Sequence, residues 1–272
     1  MNNKRISISL DETAMLFSMA GMADKAAVLM LNTYGELSDD VFDQKLDTAG
    51  HSLFARHYLA FNEENKFDVH PEILTLLEPL KSYNRNFQIV IRETPETNYS
   101  FYNIYFSGER FLSMKTGNPY VYEFEDGLTS DFRKFFIDKL GDKTYFDRQK
   151  GKPDTAVSLS LDQINDMMGE DLQGIVEKLV DLEVPDDLIE AFGLNISIPL
   201  QMTNLMYTGF KANQPVENWK PEEVGTGFMI LDGPENSLLF TYNPKDKNMG
   251  FLSFLTEDKF DQALDACFAA ED

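Results

Sequence analysis

Ile6-Ser7-Ile8-Ser9-Leu10-Asp11 returns 151 residues later as Val157-Ser158-Leu159-Ser160-Leu161-Asp162, with Ser7, Ser9, Leu10 and Asp11 matched identically. Each copy alternates apolar and polar residues as a half-buried strand does, then supplies an Asp suited to cap a helix. Working outward, Ile89-Val90-Ile91 with Pro95-Glu96 is echoed by Met229-Ile230-Leu231 with Pro234-Glu235, and Phe111-Leu112-Ser113-Met114 by Phe251-Leu252-Ser253-Phe254. The three echoes fall in the same order. An internal repeat redefines the whole fold, so this pattern predicts an internally duplicated α+β chain. The alternative is two unrelated α+β halves that use similar strands.

On the duplicated reading, residues 1–141 form a first α+β repeat, 142–156 a polar linker and 157–272 a second repeat. Asp11 to Ala20 predicts a helix, and Ala23 to Asn32 is apolar but ambiguous in type. From Ser38, Val41, Phe42, Leu46, Ala49, Leu53, Phe54 and Tyr58 recur mostly at helical spacing, which predicts a long helix. Pro71 suits a first helical turn ahead of Ile73, Leu74, Leu76 and Leu77. The period then changes to two over Phe87–Arg92, Tyr99–Phe106, Phe111–Lys115 and Tyr120–Phe124, with turn residues between, which predicts an antiparallel meander. Asp131 to Leu140 closes the repeat. In the second half, Leu161–Met168, Leu172–Leu182 and Asp186–Phe192 predict short helices, and Ile198–Phe210 a further one. Strands follow at Phe228–Leu231, Ser237–Tyr242 and Gly250–Leu255, without a counterpart to the fourth strand, and Lys259–Ala269 ends the chain as a helix. The expected architecture is therefore antiparallel sheet(s) flanked by helical bundles.

The chain has 272 residues, with 24 Lys+Arg against 46 Asp+Glu, a formal net charge of −22. Such a field repels phosphate backbones and anionic lipid, so nucleic acid and membrane are excluded as expected partners. The single Cys267 has no internal disulfide partner and predicts a small buried thiol. The longest aliphatic run, Ala26–Leu31, is far short of the ~20 residues that cross a bilayer. Residues 1–7 enter a strand pattern instead of a signal-peptide core, which makes the cytosol the expected compartment.

No constellation for chemistry emerges. Gly225-Thr226-Gly227 lacks a third glycine and a P-loop lysine and opens a strand. His51 and His57 are six apart, which separates them on a helix, and His70 stands alone. Asp246, Asn248, Gly250 and Glu257 fail the EF-hand register, which needs glycine where Phe251 stands. Asp39-Asp40, Glu63-Glu64, Asp186-Asp187 and Glu222-Glu223 sit near element boundaries, where acids complement helix dipoles or face solvent. The expectation is a protein that is not an enzyme, with no catalytic residue, cofactor or metal.

Tyr99, Phe101, Tyr102, Tyr105, Phe106, Tyr120, Tyr122 and Phe124 fall on both faces of the first meander, so its second face needs a cover, either helices or a partner. In the second half, Phe192, Leu194, Ile196, Ile198, Leu200, Met202, Leu205, Met206, Tyr207 and Phe210 are apolar at both strand and helix periods. One buried face cannot hold them all. The partner-binding surface is placed there, with a second contact at the turn Thr94, Pro95, Glu96, Thr97 and Asn98.

A duplicated unit of strand, helices, meander and closing helix, opening Ser7-Ile8-Ser9-Leu10-Asp11-Glu12 and carried on an acidic chain, resembles the EspG-type chaperones of type VII secretion. That resemblance implies a cytosolic protein of about this length, with a quasi-two-fold sheet flanked by helical bundles. It also implies a helical-hairpin export substrate held by its exposed tip. The 12 Met residues suit pliable binding of related apolar partners. The alternative function is an acidic immunity or antitoxin protein masking a basic toxin, which accounts for the charge.

Overall fold

The computed structural model describes residues 5–64, 66–93, 98–118, 120–141, 146–147, 150–167, 170–207, 227–243 and 246–269. The N-terminal half begins with β1 (Arg5–Ser9), α1 (Leu10–Met19), α2 (Ala23–Tyr34) and α3 (Asp39–Ala55). A short hairpin, β2 (Leu59–Phe61) with β3 (Phe67–Val69), leads to α4 (Pro71–Ser82). The meander β4 (Arg85–Glu93), β5 (Asn98–Ser107), β6 (Arg110–Asn118) and β7 (Val121–Leu128) follows, then α5 (Phe132–Leu140). The C-terminal half runs β8 (Ala156–Ser160), α6 (Leu161–Met167), α7 (Leu172–Asp181), α8 (Asp186–Ser197), β9 (Gln201–Tyr207), β10 (Gly227–Asp232), β11 (Ser237–Asn243), β12 (Asp246–Phe254) and α9 (Glu257–Ala269).

By hydrogen-bonded neighbour, strands of the N-terminal half are ordered β1-β7-β6-β5-β4 and those of the C-terminal half β8-β12-β11-β10-β9. In each, the opening strand returns to lie beside the last strand of the meander. β1 sets Ile6 against Phe124 and Ile8 against Tyr122, antiparallel, and β8 sets Leu159 against Gly250. Both opening strands end in the same device. Ser9 Oγ accepts the Glu12 N–H (3.1 Å) while Glu12 Oε2 accepts the Ser9 N–H (2.7 Å). Ser160 and Gln163 repeat that capping box at 3.1 and 2.7 Å. The caps are thus the serines and not Asp11 and Asp162: Leu10 and Leu161 are already helical, and Asp11 instead accepts from Tyr34 (3.0 Å) and Lys45 (3.3 Å).

Two further expectations change. Over its described part, residues 198–207, the segment Ile198–Phe210 is not a helix. α8 runs on to Ser197, Pro199 interrupts, and Gln201–Tyr207 form β9, paired antiparallel with β4 on one side and β10 on the other. Hydrogen bonds to two neighbours, with Thr203 and Leu205 buried in alternation, decide the type. β9 also supplies the strand that the second half seemed to lack. The second and third echoes join strands in non-equivalent places, β4 with β10 and β6 with β12, whereas the first joins β1 with β8.

The described residues divide into two compact units that do not follow the sequence halves: one within 5–86 and 102–130, the other within 87–101, 131–207 and 227–269. In the first, Leu10, Leu16, Phe17, Met30, Leu53, Leu76 and Leu77 from the helices bury against Leu112, Tyr122 and Phe124 of the sheet. Glu12 fastens α3 to this core, accepting from Ser52 Oγ (2.7 Å) and from Arg56, whose other nitrogen donates to the Ser7 carbonyl (2.6 Å).

In the second unit all of Gly227–Asp232 is buried, a run without alternation because helices cover both sheet faces. On one face Met229 and Leu231 join Leu188, Phe192, Ile175 and Leu179. On the other, Phe136 of α5 stacks on Phe260 of α9 (5.6 Å) and meets Phe228 edge-on (5.8 Å), and Phe268 lies 5.2 Å from Phe87. Cys267 is buried and forms no disulfide, as its sequence setting suggested.

Candidate partner groove

α7 carries two apolar stripes. Ile175 and Leu179 point inward and are fully buried, the ordinary core stripe of an amphipathic helix. Beside it Leu172, Val176 and Val180 recur at four-residue spacing. Val176 is half-buried, but Leu172 is 51% and Val180 57% exposed. Asp171 caps the helix by accepting the Gly174 N–H (2.9 Å), and Lys178 is held by Glu170 (2.7 Å) and the Asp166 carbonyl (3.1 Å).

The turn into α8 places Glu183 at positive φ and buries Val184, and Asp186 and Asp187 then complement the dipole at the start of α8. Gly193 lets the helices approach: its absent Cβ would sit 3.0 Å from Leu172 Cδ1. Between α7 and α8 opens a groove of about 600 Å³, walled by the outer stripe of α7 and by Ile189 and Leu194 of α8. Exposed Asp186, Glu190 and Glu235 edge it.

Glu235 lies in the β10–β11 turn, which is fixed from below. Buried Asn195 donates from Nδ2 to the Leu231 and Asn236 carbonyls (3.0 and 3.1 Å), and a Cβ on Gly233 would run into the Asn195 amide. Ser237 Oγ donates to the Asp232 carboxylate at 2.5 Å. A polar bracket therefore sets one edge of an apolar groove.

Of the surface expected from sequence, Leu194 lines this groove. Leu200, just beyond α8, is 43% exposed. Ile196 and Met202 are half-buried against the helical core, and Met206 and Tyr207 are half-buried on β9, with the Tyr207 ring 5.6 Å from Phe87. Phe192 is corrected: it is fully buried and belongs to the core, because its face of α8 meets the sheet. Phe210 and the turn Thr94–Thr97, with Pro95 and Glu96, lie outside the described residues; Asn98 opens β5. The outer stripe Leu172–Val176–Val180 was missed, although five apolar residues on two adjacent stripes already make α7 wider on its apolar side than one buried face requires.

Among the described residues no helix is long and apolar enough to cross a membrane, and no group of three or more His, Cys, Asp or Glu is placed to hold a metal.

No protein-family model matches the chain, and no curated protein sequence matches it. A solved structure does: the Mycobacterium tuberculosis type VII secretion chaperone EspG5, in complex with the PE25–PPE41 dimer, superposes with a TM-score of 0.66 over 98% of this chain and 96% of that one. The chain has the EspG fold. Identity to EspG5 is 8%, so what the two share is architecture, the antiparallel strands and flanking helices expected of an EspG-like chain. The EspG fold here carries the α7–α8 groove in its second compact unit.

Proposed function

We propose that this protein is a non-enzymatic chaperone of type VII secretion that holds the apolar tip of a helical-hairpin substrate in the cytosol before export. The observation that carries the reading is the fold likeness to EspG5 across nearly the whole of both chains, EspG5 having been solved with a PE–PPE dimer. The duplication and the division at residues 1–141, 142–156 and 157–272 belong to the same proposal. Support for the contact surface comes from the groove beside Leu194 and from exposed Leu200, which place unsatisfied apolar area where a helical tip gains by burial. Met206, Tyr207 and the Thr94–Asn98 turn, expected from the sequence as partner contacts, are retained as part of this proposal.

The test is affinity capture of the tagged protein from its native cell, with mass spectrometry of what co-elutes in stoichiometric amount. A helical secretion substrate is expected, and Leu194→Asp with Leu200→Asp should abolish its capture while leaving the thermal melt unchanged. Stoichiometric capture of a basic toxin instead would establish the immunity reading. Undiminished substrate capture by the double variant would move the contact surface elsewhere.

A further inference from the structure

We propose that the α7–α8 groove takes an amphipathic helix whose apolar stripe is flanked by lysine or arginine. This rests on the chaperone reading for the helical nature of the partner and goes beyond it in fixing the partner's charge. Leu172 and Val180 are eight residue steps apart on α7, with Val176 midway, about 12 Å of helix rise, which matches two turns of a partner helix laid alongside.

The outer stripe is surplus to the core, since Ile175 and Leu179 already close α7 onto the sheet. The groove is edged by carboxylates, Asp186 and Glu190 from the exposed side of α8 and Glu235 from the turn, and among the described residues no lysine or arginine lines it. Lys178, the one base within α7, is engaged by Glu170 and the Asp166 carbonyl. An acidic helix would bring like charges to this edge, whereas basic flanks meet it with opposite sign. The Asn195 bracket holds the turn of Glu235 in place before binding, which lowers the ordering cost.

The experiment uses two synthetic peptides of about 18 residues with the same leucine stripe, one flanked by lysine and one by glutamate, measured by fluorescence anisotropy at about 0.15 M salt. The lysine peptide should bind at least about tenfold more tightly. Leu172→Asp with Val180→Asp, both on exposed positions, should weaken it by a further factor of about ten although the variant is more acidic. Glu190→Lys with Glu235→Lys should reverse the preference.

If the doubly acidic groove variant binds the lysine peptide as well as or better than the parent, the attraction is diffuse charge and the proposal falls. It falls also if neither peptide binds. Capture of a helical substrate from the native cell is scored separately: if it persists when the peptide result fails, the groove assignment alone is lost. If the peptide result holds and no export substrate is captured, the chaperone reading is the one that fails.

Discussion

Replacing Phe192 with alanine separates core from surface on α8. The ring is fully buried in the cluster formed with Leu188, Met229, Leu231 and Phe240, in a face of the helix turned to the sheet. Truncating a buried phenylalanine costs about 3–5 kcal/mol, from lost transfer energy and from the cavity left behind. For a chain of this size each kcal/mol lowers the melting temperature by about 2–4 °C, so a fall on the order of 6–20 °C is expected. The assays are thermal and urea unfolding followed by far-UV circular dichroism, with Val180→Ala as the control. Val180 is more than half exposed, and its truncation should stay within about 0.5 kcal/mol. If Phe192→Ala costs less than about 1 kcal/mol while abolishing partner capture, the ring faces a partner and the packing described for α8 is refuted.

Gly233→Ala places a methyl group against the Asn195 amide and should cost about 1–3 kcal/mol; adding Asn195→Ser should recover part of that loss, a coupling readable from a double-mutant cycle of urea midpoints. Burial pushes the Glu12 carboxyl up, but hydrogen bonds from Ser9 and Ser52 and the nearby Arg56 outweigh it and hold it below the ordinary 4.5. Its stabilisation is therefore complete above that pH and lost as pH falls through the lower folded value. Glu12→Gln should be the less stable protein at neutral pH, by about 1–3 kcal/mol, with the gap closing in thermal melts on acidification. Burial lowers Lys25 to about 8, beside the Tyr83 ring at 4.8 Å. Between there and 10.5 the unfolded chain holds the extra proton, so stability should climb with pH across that interval and Lys25→Met should remove the climb.

Local signals in the sequence were sufficient for much of the framework. The period of two from Phe87 to Phe124 became β4 to β7, and Pro71 opened α4, because strand alternation and a proline-tolerant first turn are properties of a few neighbouring residues. The Ser-x-Ser-Leu-Asp strings marked both opening strands, although the capping role fell to the serines, two residues before the Asp that each string offered as cap. Burial of Cys267 followed from its place on a closing amphipathic helix.

Where the apolar pattern fits two periods, the sequence leaves the outcome open. Residues 198–210 are apolar at both periods and expected as a helix, and β9 forms there instead because β4 and β10 lie on either side to take its backbone hydrogen bonds. Residues 59–69 gave no signal for β2 and β3, since three-residue strands are too short for periodicity to register. Phe192 and Leu194 are two positions apart with equal hydrophobicity, yet one is core and the other lines a groove. Likewise Ile175 and Val176 are adjacent on α7 and only one is fully buried. Composition fixes how much apolar surface a helix carries, but which part is covered depends on the direction from which the sheet approaches. That is set by long-range pairing, and it is why the EspG architecture was partly legible from residues 6 to 11 and their echo while the groove emerged only once α7, α8 and the β10–β11 turn were in place.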